Sequence, residues 1–230
     1  MIRLWGQAQF SIKTKKLSGY ELFLREQKLP GGPWRLPDNI SLIDPVQMSA
    51  LLNETLAAMP DGLEFVAFNL DQSQFVQPEY LQLLQDVKRT LPFKLGIELT
   101  ERHGDDTKAV ALADLVTSAK AYQGAGLLVC LDDVGTGENV GDLVQALDPY
   151  VSEYKYAIQN VRKTQPQAQI AAEVTHWRKR ALQLGKVFTL EGLELSDDLT
   201  LIRDFCPDFV QGYYFGTPHF MAIPRDLTAG

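Results

Sequence analysis

Residues 127–133 read Leu-Leu-Val-Cys-Leu-Asp-Asp, an apolar run that ends in two aspartates. A short apolar run of this kind is typical of a strand that is buried on both faces of a parallel sheet. It follows residues 106–122, in which apolar side chains recur at helical spacing. A helix followed by a buried strand is the repeating unit of α/β proteins, so this stretch favours a parallel sheet covered by helices.

The same unit recurs along the rest of the chain. Helical spacing is also present in residues 78–91 and 166–184. The predicted strands are short and β-prone, and they are residues 9–12, 19–24, 64–70, 94–99, 127–131, 151–158, 186–190 and 209–214. Eight such strands favour a closed barrel over an open sheet. Only residues 13–18 separate the first two strands, which is too short for a helical crossover, so we expect an antiparallel hairpin there.

Composition narrows the class of protein. The chain has 230 residues, which suits one barrel, and 22 Lys and Arg against 29 Asp and Glu give a net charge of −7. This balance argues against binding to nucleic-acid polymers, which depends on basic residues. The first residues lack the regions of a signal peptide, and no apolar run approaches the roughly 18 residues that a membrane helix needs. We therefore expect a cytoplasmic protein that does not insert into a membrane.

Polar side chains stand where the predicted strands end. They are Asn69, Glu98, Asp132, Asp133, Glu191 and Gln211. The carboxyl ends of parallel barrel strands meet at one open face, so we expect these side chains to converge. Glu21 and Lys155 are charged residues within otherwise apolar strands, and we place them in the same cluster.

Carboxylates and one amide form a hard, oxygen-rich site, which suits Mg²⁺ or Mn²⁺. A bridging aspartate with Glu21, Asn69 and Glu98 could hold two ions in the arrangement used for phosphoester cleavage. Taken alone, Asp132-Asp133 could instead be a helix cap. Lys155 could be an ion-pair partner or a Schiff-base lysine, although surrounding carboxylates would keep its amine charged.

Five segments, in order along the chain, resemble motifs of one known family. Residues 19–25 (GYELFLR) are similar to GYEALLR, residues 98–101 (ELTE) to ExTE, residues 132–137 (DDVGTG) to DDFGTG, residues 190–194 (LEGLE) to AEGVE, and residues 211–218 (QGYYFGTP) to QGYLFGRP. These are the motifs of EAL-type cyclic diguanylate phosphodiesterases, and together they cover nearly the whole chain.

The resemblance implies a fold and a reaction. The fold is a modified (β/α)₈ TIM-like barrel with one antiparallel strand, and we expect residues 1–230 to form a single domain of this type. The reaction is metal-assisted hydrolysis of cyclic di-GMP to linear pGpG, which lowers a bacterial second-messenger signal. The resemblance also implies a homodimer.

Roles for individual residues follow from the same resemblance. The metal ligands would be Glu21, Asn69, Glu98, Asp132 and Asp133, which would bind Mg²⁺ or Mn²⁺, with two ions expected. Lys155 would lie near the attacking water, Glu191 would position that water and Lys155, and Gln211 would help to orient it. Glu101 would anchor the loop of residues 134–141. Arg25 would contact a substrate phosphate, with Leu24 and Gln7 as further substrate contacts.

The sequence departs from the family motifs at several positions. Leu22 and Phe23 are larger than the usual residues and would reshape a guanine pocket. Val134 replaces an aromatic residue, and Ala157 replaces an aspartate. These departures support an alternative function: a catalytically weak or inactive EAL-type module that binds cyclic di-GMP or a protein partner as a sensor or scaffold.

Overall fold

The computed structural model describes residues 1–38, 40, 43–100, 109–137 and 141–227. Its strands are β1 (Ile2–Ser11), β2 (Leu17–Glu26), β3 (Phe65–Leu70), β4 (Lys94–Leu99), β5 (Leu128–Leu131), β6 (Glu153–Ala157), β7 (Val187–Glu191), β8 (Phe209–Val210) and β9 (His219–Phe220). Its helices are α1 (Pro45–Ala57), α2 (Gln72–Phe75), α3 (Pro78–Lys88), α4 (Leu112–Gly124), α5 (Gly141–Leu147), α6 (Ile158–Val161), α7 (Gln167–Leu184), α8 (Leu199–Phe205) and α9 (Pro224–Leu227).

The first eight strands form a closed barrel. Strands β2 to β8 lie side by side in chain order, and all their mutual pairings are parallel. Strand β1 closes the barrel because it pairs antiparallel with β2 along one edge and with β8 along the other. The short β9 adds to the second edge of β1. The predicted fold, a modified barrel with one antiparallel strand, is confirmed, and β9 is an addition to it.

The opening hairpin is longer than the sequence suggested. We predicted a first strand over residues 9–12, but β1 pairs with β2 from Ile2 opposite Glu26 to Phe10 opposite Leu17. The inward positions of β1 carry Trp5 and Gln7, which give no simple alternation of apolar and polar residues. The usual strand signal is therefore absent from the first half of β1.

The last predicted strand is shorter than expected, and several helices, α1 among them, were not predicted. Strand β8 ends at Val210 because Gly212 turns the chain at φ +153°. A Cβ at Gly212 would lie 2.2 Å from the carbonyl oxygen of Leu193. The loops that contain Gly212 and Leu193 therefore pack against each other backbone to backbone, with no room for a side chain. Helix α1 was not predicted, although Asp44 accepts a hydrogen bond from the Val46 amide at 3.2 Å, and an aspartate before a proline signals a helix start.

Alternation along the strands separates the core from the barrel interior. Val66, Phe68, Leu95 and Ile97 belong to the main hydrophobic core, which lies between the strands and the helices. The other face of each strand points into the barrel, where Asn69 of β3 lies in register with Glu98 of β4. None of the described helices is long and apolar enough to cross a membrane.

Candidate functional site

The polar residues predicted from the strand ends meet at the carboxyl end of the barrel. Glu21, Glu98, Lys155 and Glu191 are each at most 6% exposed, although all four are charged. They come from β2, β4, β6 and β7, which are alternate or neighbouring strands of one closed sheet. Closure of the barrel therefore brings together charges that lie far apart in the sequence.

Lys155 lies at the centre of this cluster. Its Nζ is 2.7 Å from Glu98 Oε2, 2.9 Å from Glu21 Oε2, 3.1 Å from Glu191 Oε2 and 3.7 Å from Asp132 Oδ1. Four carboxylates thus surround one ammonium group, and the cluster carries more negative than positive charge when all are ionised. A divalent cation is the kind of partner that relieves such an excess.

The pKa values of the cluster follow from this crowding. Burial alone lowers the pKa of Lys155, but Glu191, Glu21 and Glu98 outweigh it and hold that pKa well above its usual range. The lysine therefore stays charged, which argues against a Schiff-base role. Burial and the neighbouring Glu21 carboxylate raise the pKa of Glu98 well above its usual range.

Glu21 and Glu191 differ although both are buried. Burial raises the pKa of Glu21, but the charge of Lys155 and hydrogen bonds from Asn69 and Lys155 outweigh it, so that pKa lies below its usual value. Burial raises the pKa of Glu191 well above its usual range, against the opposing charge of Lys155 and with the help of Asp132. The ionised form of Glu21 is the one that its surroundings favour.

Asn69 and Gln211 are held against Glu21. Asn69 Nδ2 donates to Glu21 Oε1 at 2.8 Å, and Gln211 Nε2 donates to Glu21 Oε2 at 2.7 Å. Gln211 Nε2 also donates to Gln7 Oε1 at 3.1 Å, and Gln7 Nε2 donates to the carbonyl of Gly216 at 2.9 Å. With its nitrogen used on Glu21, Asn69 keeps its carbonyl oxygen available as a metal ligand.

Asp132, Asp133 and Glu191 form a second group of carboxylates that could hold a metal ion. One carboxylate oxygen of each lies within 4.8 Å of the others. Asp133 adopts a left-handed backbone conformation with φ +50°, and its amide donates to Asp132 Oδ1 at 3.0 Å. The amide of Val134 then donates to the Lys155 carbonyl at 3.0 Å, which ties this turn to β6. The donor set of carboxylates and one amide fits Mg²⁺ or Mn²⁺.

An open cavity of about 330 Å³ lies above these residues. The predicted site residues that line it are Gln7, Glu21, Arg25, Asp132, Asp133, Glu191 and Gln211. Arg25 donates to the carbonyl of Leu24 at 2.9 Å, and its guanidinium carbon lies 5.5 Å from the centre of the Phe23 ring. Arginine and a ring at the rim of an acidic cavity suit a ligand that has both phosphates and flat bases.

Two predicted pocket residues lie elsewhere. The side chains of Leu22 and Leu24 belong to the hydrophobic core between the sheet and the helices, and neither lines the cavity. Alternation along β2 explains this, because Glu21 and Phe23 take the inward positions and their neighbours must face outward. Of the two enlarged residues, only Phe23 can reshape the pocket. Glu101 lies outside the described residues, as do residues 138–140 of its proposed loop.

The sequence interpretation missed several residues around the cavity. Beyond the predicted site residues and Phe23, it is lined by Gln159, Asn160, Gly192, Glu194, Gly212, Tyr213 and Pro218. Most of them follow β6, β7 or β8 directly, which is the signal that could have identified them. The residue at the end of β6 is Ala157, which is 2% exposed and lies in register with Glu191. That strand end therefore contributes no carboxylate.

Comparison with known proteins agrees with this geometry. The family model described as EAL domain matches residues 2–218. The chain belongs to the EAL domain family. No curated protein matches its sequence.

Solved EAL structures share the fold. The EAL enzyme Bd1971, in a form bound to cAMP and cyclic-di-GMP, is 20% identical with a TM-score of 0.75, over 99% of this chain and 64% of that chain. An EAL domain protein from Listeria monocytogenes EGD-e is 22% identical with a TM-score of 0.74, over 99% and 90% of the two chains. BlrP1 from Klebsiella pneumoniae, in a manganese and cy-diGMP complex, is 20% identical with a TM-score of 0.77, over 96% and 57%. This EAL domain thus spans less than two thirds of the length of Bd1971 and of BlrP1.

Proposed function

We propose that this EAL domain is a metal-dependent phosphodiesterase that hydrolyses cyclic di-GMP to linear pGpG and so lowers a bacterial second-messenger signal. The observation that carries the proposal is Lys155, buried among four carboxylates beneath an open cavity. Membership of the EAL family and a neighbour solved with manganese and cy-diGMP support this substrate and this class of metal.

The chain's own residues would divide the work of the reaction. Glu21, Asn69, Glu98, Asp132 and Asp133 would hold two Mg²⁺ or Mn²⁺ ions, which supply positive charge for the phosphate and lower the pKa of a water. Lys155 and Glu191 would position the attacking water, since they already contact each other at 3.1 Å. Gln211 would help to orient it, and Arg25 would hold a substrate phosphate. The water oxygen would attack phosphorus in line, and the ribose oxygen would leave with a proton.

A second function is favoured by one observation. Ala157 ends β6 opposite Glu191, so one strand end of the site carries no carboxylate. With fewer ligands, the domain would bind cyclic di-GMP or a protein partner as a sensor or scaffold and turn the nucleotide over weakly. For either function, the proposal includes assembly of the protein into a homodimer and a location in the cytoplasm.

Product analysis distinguishes the two functions. The protein is incubated with cyclic di-GMP and Mg²⁺ or Mn²⁺, and pGpG is measured by chromatography and mass spectrometry. The enzyme hypothesis expects pGpG from the wild type and almost none from Glu21→Gln, while Glu79→Gln on an exposed turn of α3 behaves as wild type. Calorimetric binding without pGpG would support the sensor. A folded protein that neither binds nor cleaves the nucleotide would reject the enzyme and the nucleotide sensor, and would leave only the protein scaffold.

A further inference from the structure

Gln9 is a buried residue of the barrel interior that none of the proposed roles uses. It lies in β1, is 1% exposed, and its Nε2 donates to Gln211 Oε1 at 2.6 Å. Within the described chain, the Oε1 of Gln9 is buried and accepts no hydrogen bond. A buried carbonyl without a donor costs folding free energy, so stability alone does not explain a glutamine at this position.

Gln9 completes a chain of three glutamines whose hydrogen-bond directions are determined from its ends. The Gly216 carbonyl can only accept, so Gln7 turns its nitrogen toward it and its oxygen toward Gln211. The Glu21 carboxylate, when ionised, also only accepts, so Gln211 turns its nitrogen toward it. Gln211 therefore presents its oxygen to β1, and a donor is required there.

With Gln9 in place, the Gln211 amide has three partners. Both hydrogens of Nε2 are donated, to Glu21 and to Gln7, and Oε1 accepts from Gln9. Two of these bonds share one nitrogen, so without the third the amide plane could swing about that nitrogen. The bond from Gln9 holds the other end of the amide and so restricts its orientation beside Glu21.

We propose that Gln9 is a positioning residue, which acts through Gln211 to hold the Glu21 carboxylate in its working orientation. This inference rests on the proposed function for its effect on turnover, but its structural part concerns only residues of this chain. Outer partners of this kind typically change metal affinity or activity by about 10- to 100-fold when they are removed.

The test replaces Gln9 by methionine, which is similar in length but cannot donate. We expect kcat for cyclic di-GMP with Mn²⁺ to fall about tenfold, within the range for such outer partners, with KM nearly unchanged. In a Gln211→Ala background, Gln9→Met should cause almost no further loss, because the residue through which it acts is gone. An equal loss in both backgrounds would overturn the proposal.

A matched control separates positioning from packing. Gln74 is also 1% exposed, but it donates to the Tyr80 hydroxyl at 2.8 Å and caps α2, away from the cavity. Gln74→Met should lower the melting temperature and leave kcat unchanged. Gln9→Met should lower kcat and change the melting temperature less than Gln74→Met does, because the unpartnered Oε1 of Gln9 is removed together with the bond to Gln211. A fall in kcat for Gln9→Met that merely follows its melting temperature would reject a positioning role.

A second measurement does not need turnover. In metal-free protein labelled with ¹⁵N-glutamine, the Gln211 side-chain amide is assigned by its loss in Gln211→Ala. Gln9→Met should speed its hydrogen exchange roughly fivefold, about the free energy of one hydrogen bond, whereas Gln74→Met should not. The reason is that an amide no longer held at Oε1 opens its own N–H bonds to Glu21 and Gln7 more often. Unchanged exchange would overturn the proposal. If the wild type makes no pGpG but Gln9→Met still speeds the exchange of the Gln211 amide, the proposed function is rejected and the role of Gln9 is supported.

Discussion

Lys155 Nζ lies 2.7 Å from Glu98 Oε2, and both side chains are 1% exposed. The pair joins β6 to β4, two strands that are separated in the sheet by β5 and do not pair with each other. It therefore crosses the barrel interior. A buried ion pair costs its desolvation energy at both ends, so this pair is weak evidence for added stability. Its removal, by contrast, takes away the ammonium group that the buried carboxylates of Glu21, Glu98 and Glu191 contact.

Lys155→Met should destabilise the protein strongly at neutral pH. Loss of one partner of a buried ion pair costs about 3–5 kcal/mol of unfolding free energy. Without the ammonium, the already raised pKa values of Glu98 and Glu191 rise further, so the folded variant binds more protons than the unfolded chain and gains relative stability as the pH falls. Urea unfolding at several pH values measures this. Lys120→Met, on an exposed face of α4, is the control and should change little. If Lys155→Met lost the same free energy of unfolding at every pH, the explanation by charge would be contradicted.

The metal-free wild type should lose stability as the pH rises above about 4.5, the usual pKa of a glutamate. Burial with neighbouring carboxylates raises the pKa values of Glu98 and Glu191, so the folded state holds protons there that the unfolded chain releases. Glu21 acts in the opposite sense. Its pKa is lowered in the folded state, so its contribution to folding stability is fully present above the same pH and is lost as the pH falls. Denaturation between about pH 5 and 8 tests this slope. Glu98→Gln should reduce this slope and leave the part that Glu191 contributes, and an unchanged slope would point to another group.

Ala157→Asp should raise turnover if the enzyme hypothesis holds. The new carboxylate would stand at the end of β6, in register with Glu191, and would add an oxygen ligand to the site. We expect a rise in kcat of about tenfold with saturating Mn²⁺, and a lower melting temperature without metal because negative charge is added to an acidic cluster. The control is Ala172→Asp on an exposed turn of α7. A variant that gains neither turnover nor metal-dependent stability would show that this position does not reach the site.

Gly212→Ala should destabilise the protein and impair the site together. Its Cβ would lie 2.2 Å from the Leu193 carbonyl oxygen and 2.4 Å from the Leu193 nitrogen, so one of the two loops must move. We expect a loss of about 1–3 kcal/mol, the usual range for overpacking, and a lower kcat because Gln211 is the preceding residue. Gly216→Ala in the same turn meets no atom within 4 Å and is the matched control. Equal effects of the two changes on unfolding and turnover would contradict this explanation.

Leu22 and Phe23, the two residues that are larger than in the family motif, lie in different environments in the folded protein. Leu22 and Phe23 are adjacent in sequence, yet the first packs outward in the core and the second lines the cavity. The period-two alternation of a strand accounts for the difference, but it could be applied only after β2 was placed in the barrel. Gln9 was counted simply as part of a strand, because nothing local distinguishes it from a solvated glutamine. That residues 1–230 form one domain stays a prediction.

The sequence by itself determined the class of fold and most of the residues that meet around the cavity. Short apolar runs ending in Asn69, Glu98, Asp132 and Glu191 carry that information locally, because hydrophobic periodicity and strand-end chemistry are properties of neighbouring residues. Tertiary structure decided which charges meet. Lys155 contacts Glu21, a residue 134 positions away, only because β1 closes the barrel between β8 and β2. The protonation preferences of the cluster then arise from burial and mutual proximity, which no stretch of sequence contains.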